Sequence, residues 1–120
     1  MDGLLRECLY PVMLGSNTLC HACVRQLQKK YGVGSTVLTG KRALTLRFLP
    51  SVKVVEAPPT LADELLYTVL CDISDACGYS LPLLVLCDER YDSFVARNKS
   101  DLESHFILRR AGDLLGEGKP

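Results

Sequence analysis

An unbroken apolar run, Leu83-Leu84-Val85-Leu86-Cys87, passes directly into the acidic stretch Asp88-Glu89-Arg90-Tyr91-Asp92. A run this short and this apolar, bounded by turn-forming residues, predicts a buried strand. Ser93 to Arg97 is then expected as a second, half-buried strand that completes a hairpin. Ser100-Asp101-Leu102-Glu103 opens a helix, with Ser100 as N-cap and Glu103 at the capping-box position. Asp88, Glu89, Asp92, Asp101 and Glu103 would thereby be gathered around one hairpin and one helix start. Such a cluster presents negative charge to a partner that carries Lys or Arg. The plainer reading is a solvated turn, where Asp is favoured in any case.

A chain of 120 residues is expected to fold as one domain with a single core. Hydrophobic residues make up 48%, which argues against disorder over most of the length. Fourteen basic and fourteen acidic side chains cancel, so no global attraction to nucleic acid or anionic lipid is expected. The basic residues are dispersed and aromatics do not interleave with them. No apolar stretch approaches the roughly 18 residues of a membrane span. The N-terminus carries Asp2 and Glu7 rather than a charged-then-apolar leader, and a cytoplasmic or nuclear location is expected. In that setting the six cysteines are read as reduced, mostly structural thiols, with Cys71 and Cys87 inside apolar runs and neither disulfide nor metal expected.

Along the chain, Leu4, Leu5, Cys8, Leu9 and Val12 fit one helical face within residues 1–15, although Pro11 and Gly15 limit any helix there. Residues 17–31 predict a helix capped by Ser16 or Asn17 and stopped by Gly32, with Cys20, Cys23, Val24, Leu27 and Tyr31 at helical spacing. Strands are expected at 35–39, 42–49 and 52–56. A helix beginning near Thr60-Leu61-Ala62-Asp63 should run to about Cys77, with Gly78 as its C-terminal stop. The expected core is Leu46, Phe48, Leu66, Val69, Leu70, Ile73, Leu84 and Leu86.

Two strands, a helix, two strands and a helix, in that order from residue 42, predict an α+β fold. The leading form is β-grasp-like, a mixed sheet packed on a central helix with an additional N-terminal helix; a roadblock- or longin-like arrangement is the alternative. The domain would cover residues 1–111, with 1–34 as an N-terminal helical part, 35–111 as sheet plus helices, and 112–120 as a flexible tail.

Asp88, Glu89, Asp92, Asp101 and Leu102 fall at the spacing of the acidic motif of the PB1 domain, a β-grasp module that pairs head to tail, and residues 42–110 resemble it. Tyr91 stands where that family usually has Gly, and Lys99 and Ser100 replace positions that are often acidic. The resemblance implies a basic face on the first strand, for which Lys41, Arg42 and Arg47 are available. Residues 11–23 also resemble the middle of a tripartite-motif RING finger. Cys20 and Cys23 occupy two ligand positions there, and Gly15 and Asn17 stand where that family has Cys and His. Two ligands do not make a tetrahedral zinc site. The same Cys20-His21-Ala22-Cys23 can be read as a thioredoxin-type redox pair near a helix start.

No nucleophile motif or phosphate cradle is present, and each of His21 and His105 falls in a predicted helix. The sequence therefore reads as a non-enzymatic interaction module or small subunit of a complex, without cofactor. Its partner would be another protein with a basic or apolar complementary surface, or a second copy of itself. A thiol-disulfide oxidoreductase using Cys20 and Cys23, and a degenerate RING-like fragment, are the alternatives.

Overall fold

The computed structural model describes residues 9–40, 52–78 and 80–115. The expected strand 42–49, with Leu46, Phe48, Lys41, Arg42 and Arg47, lies outside these residues, as do Cys8 and the end of the tail. Five strands, β1 (Leu9–Leu14), β2 (Ser35–Thr39), β3 (Val52–Glu56), β4 (Leu81–Leu86) and β5 (Ile107–Arg110), form one sheet in the order β3-β2-β1-β4-β5. Every pairing is parallel, with Val12 opposite Thr36 and Leu84, Val37 opposite Val54, and Leu84 opposite Leu108.

Parallel neighbours need crossovers, and the crossovers bury both faces of the sheet. That is the physical content of the apolar runs. Alternate residues of one strand go to opposite layers: Val12, Leu14, Leu38, Leu84 and Leu86 to one, Met13, Val37, Leu83, Val85 and Cys87 to the other. The second layer is completed by α1 (Thr18–Tyr31), through Cys20, Cys23, Val24 and Leu27, and by α5 (Ala111–Leu115). The first is completed by α2 (Asp63–Ala76), through Leu66 and Leu70, and by the short helices α3 (Asp92–Arg97) and α4 (Lys99–Glu103), through Phe94, Val95 and Leu102.

Several local expectations hold. Asn17 caps α1 by accepting from Cys20 N–H at 3.1 Å, and Gly32 ends it at φ 69°, donating to Gln28 O at 2.8 Å. Gly78 takes φ 64° just beyond α2. Leu66, Leu70, Leu84 and Leu86 are buried, and Val69 and Ile73 pack partly buried against them.

The mixed α/β content is as expected, but the arrangement differs. The β-grasp-like mixed sheet, and the roadblock- or longin-like alternative, give way among the described residues to an all-parallel sheet covered on both faces. Ser93 to Arg97 is helix α3, not a strand, because Phe94 and Val95 both turn into the layer over β4. Residues 9–14 are a central strand rather than a helical face. Pro11 is tolerated there because the β2 ladder begins only at Val12. With Gly15 N–H donating to Leu38 O, strand parity aims the Pro11 nitrogen toward β2 before pairing starts. Ser100 lies inside α4, which begins after Asn98, so no Ser100–Glu103 capping box forms. Gly112 to Leu115, read as tail, continue α5, where Gln26 Nε2 donates to Leu114 O at 3.1 Å.

Leu70 is fully buried between α2 and the sheet. Leu70→Ala should lower unfolding free energy by about 2–5 kcal/mol in urea titrations; a negligible loss would contradict this packing.

Candidate functional site

From β1 the chain winds outward through β2 to β3, then returns on the other side of β1 as β4. In open parallel sheets the carboxyl ends of two such strands part into a crevice where ligands bind. Here that crevice is closed by the protein itself. Leu14 O accepts from both Cys87 N–H (3.2 Å) and Asp88 N–H (3.1 Å). Asn17 Nδ2 donates to Cys87 O at 2.8 Å, while its Oδ1 caps α1. Ser16 and Thr39 hydroxyls meet at 2.7 Å. Gly15 has φ 116°, and a Cβ on it would lie 2.5 Å from Asp88 Cβ. Only glycine combines that backbone conformation with that approach.

The opening is displaced to the carboxyl ends of β4 and β5. Two adjoining open clefts, of about 600 and 350 Å³, share Leu86, Asp92, Arg110 and Asp113. Val95 and Leu108 add to the apolar lining of the larger one. Of the expected partner-binding residues, Asp88, Glu89 and Asp92 reach the smaller cleft, and Asp92 and Glu103 the larger. Asp101 is exposed on α4 and lines neither.

The carboxylates are not alike. Asp88 is only 8% exposed. Its Oδ1 accepts from Arg90 N–H at 3.0 Å, capping the 3₁₀ turn Glu89–Tyr91, and Arg90 Nη2 and Nε reach Oδ2 at 2.7 and 3.0 Å. The Arg90 guanidinium holds the Asp88 carboxyl below its ordinary value, and Asp88 raises Arg90 in return. Asp88 is therefore a structural acid with its charge already matched. Tyr91, which breaks the PB1 pattern, is a buried anchor: its hydroxyl donates to Ala57 O at 2.7 Å, and burial pushes its pKa up to about 12. Asp92 Oδ2 meets Arg110 Nη1 at 3.4 Å, and its buried Oδ1 has no hydrogen-bond partner among the described residues. Glu89, Glu103 and Asp113 form no ion pair among the described residues.

Sequence reasoning missed Lys99, Arg109, Arg110 and Asp113 as lining residues. The adjacent Arg109-Arg110 pair after Ile107-Leu108 was a legible signal for a charged strand end; its position beside Asp92 was not.

Cys20, Cys23 and Cys87 cluster in the layer under α1, at 0%, 1% and 5% exposure, whereas Cys71 and Cys77 are half-buried. Of the two cysteines inside apolar runs of the sequence, Cys87 is buried and Cys71 only partly so. All five are free thiols. Cys20 and Cys23 face inward from an uninterrupted helix, and Cys23 Sγ donates to Ala111 O at 3.7 Å. Among the described residues no group of three or more His, Cys, Asp or Glu is placed to hold a metal ion, and no helix is long and apolar enough to cross a membrane. His105 lies just beyond α4, edge-on to Tyr67 with ring centroids 6.2 Å apart. Comparisons with protein-family models, with curated proteins and with solved structures find no match to this chain.

Gly15→Ala should cost about 1–3 kcal/mol or more, because the αL-side backbone and the Asp88 contact are both violated; equal melting temperatures for the variant and wild type would refute the closure described. Asp88 has a lowered folded-state pKa, so its stabilisation is present above the unfolded value near pH 4 and is lost as pH falls through the folded value. Asp88→Asn should thus unfold at lower urea than wild type at pH 7, and the gap should narrow below about pH 4; a gap constant down to pH 2 would contradict the assignment.

Proposed function

We propose that the protein is a non-catalytic interaction module that receives an amphipathic, Lys/Arg-bearing segment of another protein over the carboxyl ends of β4 and β5. The observation that carries this reading is the joined cleft, where an apolar lining of Leu86, Val95 and Leu108 is rimmed by Glu89, Glu103 and Asp113. Those three carboxylates are the ones without an ion pair among the described residues, so a cation brought by a partner displaces no internal contact. Lys99 and Arg109 on the same lining favour a segment of mixed rather than uniformly basic charge. Asp88 and Asp92 serve here to shape the turn and the cleft wall. The oxidoreductase and RING-fragment readings draw less support, because Cys20 and Cys23 point into the core from a continuous helix, where a macromolecular disulfide has no access.

A displayed peptide library selected on the intact protein tests the proposal. The enriched sequences should combine apolar residues with Lys or Arg. Binding should weaken at least about tenfold for Glu89→Lys/Glu103→Lys and also weaken as salt rises to ~300 mM, while Glu64→Lys on the exposed face of α2 should bind like wild type. Failure to enrich any peptide, or equal binding by the double variant, would sink the reading.

A further inference from the structure

On the face of the sheet away from α2, the ends of α1 and α5 do not close completely over β1 and β4. A pocket of about 110 Å³ remains there, and it shares no lining residue with the docking cleft. Leu27 and Leu83 are its buried part, and Leu9, Tyr31 and Leu114 are its half-buried walls. The other groups that reach it are already engaged inside the protein. Cys23 Sγ donates to Ala111 O at 3.7 Å, Gln26 Nε2 donates to Leu114 O at 3.1 Å, and Lys30 Nζ stands 5.3 Å from the centre of the Tyr31 ring. Neither Asp nor Glu is among the lining residues.

We propose that this pocket is a binding site for a small uncharged apolar molecule, the size of a single aromatic ring or a branched chain of about four to six carbons. Apolar cavities of about 150 Å³ take up benzene, so a pocket of 110 Å³ that is open at one end suits a body of that size or slightly smaller. The lining selects against the other occupants. A cation finds no carboxylate there. A carboxylate drawn to Lys30 would lie at the carbonyl end of α1, where the helix dipole opposes it. Either ion would give up water without gaining an unpaired partner in Cys23 or Gln26. Water itself lacks polar partners beside Leu27 and Leu83. A peptide that delivered a leucine side chain would have to lay its backbone across Gln26 and Lys30 and break the contacts they already make. A hydrocarbon disturbs none of these bonds and gains the free energy of apolar burial against four leucines.

The full-length protein with isotope-labelled leucine methyls is titrated with benzene and followed by NMR. The methyls of Leu9, Leu27, Leu83 and Leu114 should shift together and saturably, with a Kd of about 1 mM or tighter. Those of Leu19 and Leu65, which are exposed elsewhere, should stay in place. Benzoate and N-acetylleucinamide, the charged and the peptide-borne counterparts, should each bind at least about tenfold more weakly than benzene. Leu114→Phe, which adds bulk to a half-buried wall, should weaken benzene binding by a similar factor. No saturable shift up to the solubility of benzene, shifts at Leu19 and Leu65 as large as those at the pocket, equal binding of benzoate or N-acetylleucinamide, or undiminished binding by the folded Leu114→Phe variant would each overturn the proposal. The wild-type titrations decide alone if that variant does not fold.

Discussion

The parallel pairing of β1 with β2 on one side and β4 on the other is the constraint from which the rest of the structure follows. Parallel strands cannot be joined by tight turns, so each neighbour costs a crossover, and the crossovers must find apolar surface on the sheet. This forces β1 and β4 to be apolar on both faces, and it sends α1 to one side and α2, α3 and α4 to the other. The central strand then has no solvent-facing residue between Pro11 and Gly15. What meets water at the carboxyl end of β1 has to come from the loops and from the edge strand β5, whose Arg109 and Arg110 are exposed.

Those loops are held by few groups. Leu14 O, the missing side chain of Gly15 and the Asn17 amide bring the end of β4 against the end of β1, and Asp88 is thereby pressed into a site with little exposure. A carboxylate in such a site needs a cation or donors close by. Arg90, two residues on, supplies both a backbone N–H and its guanidinium. The resulting 3₁₀ turn points Tyr91 into the core and starts α3 at Asp92. Closure of the usual crevice and creation of the neighbouring cleft are thus one event. The bidentate Arg97–Asp63 pair, at 2.8 and 2.9 Å, ties the far end of α3 to the start of α2. It is exposed on both partners and so contributes to orientation more than to stability.

The acidic motif shows how one sequence pattern divides into different physical roles. Asp88 is structural, Asp92 is shared between a helix start and Arg110, Glu89 and Glu103 remain available at the cleft, and Asp101 faces solvent away from it. Spacing along the chain did place several acids near one another. It did not distinguish a carboxylate whose charge is matched from one that is free to meet a partner.

The locally encoded pieces were legible along the chain: α1 between Asn17 and Gly32, the strands at 35–39 and 52–56, the end of α2 at Gly78, and the core positions Leu66, Leu70, Leu84 and Leu86. Caps, left-handed glycines and apolar periodicity act over a few residues, so they can be read from a few residues. Long-range packing set the rest: the strands run parallel, Phe94 and Val95 enter the core from a helix, and Arg110 and Asp113 stand beside Asp92. Periodicity records that a face is buried but not what buries it, and a buried run such as Leu83–Cys87 serves a parallel ladder or a hairpin equally well. The choice was made by pairing across dozens of residues, Leu9 with Leu81 and Leu83 with Ile107, whose energies exist only once both faces of the sheet have been covered.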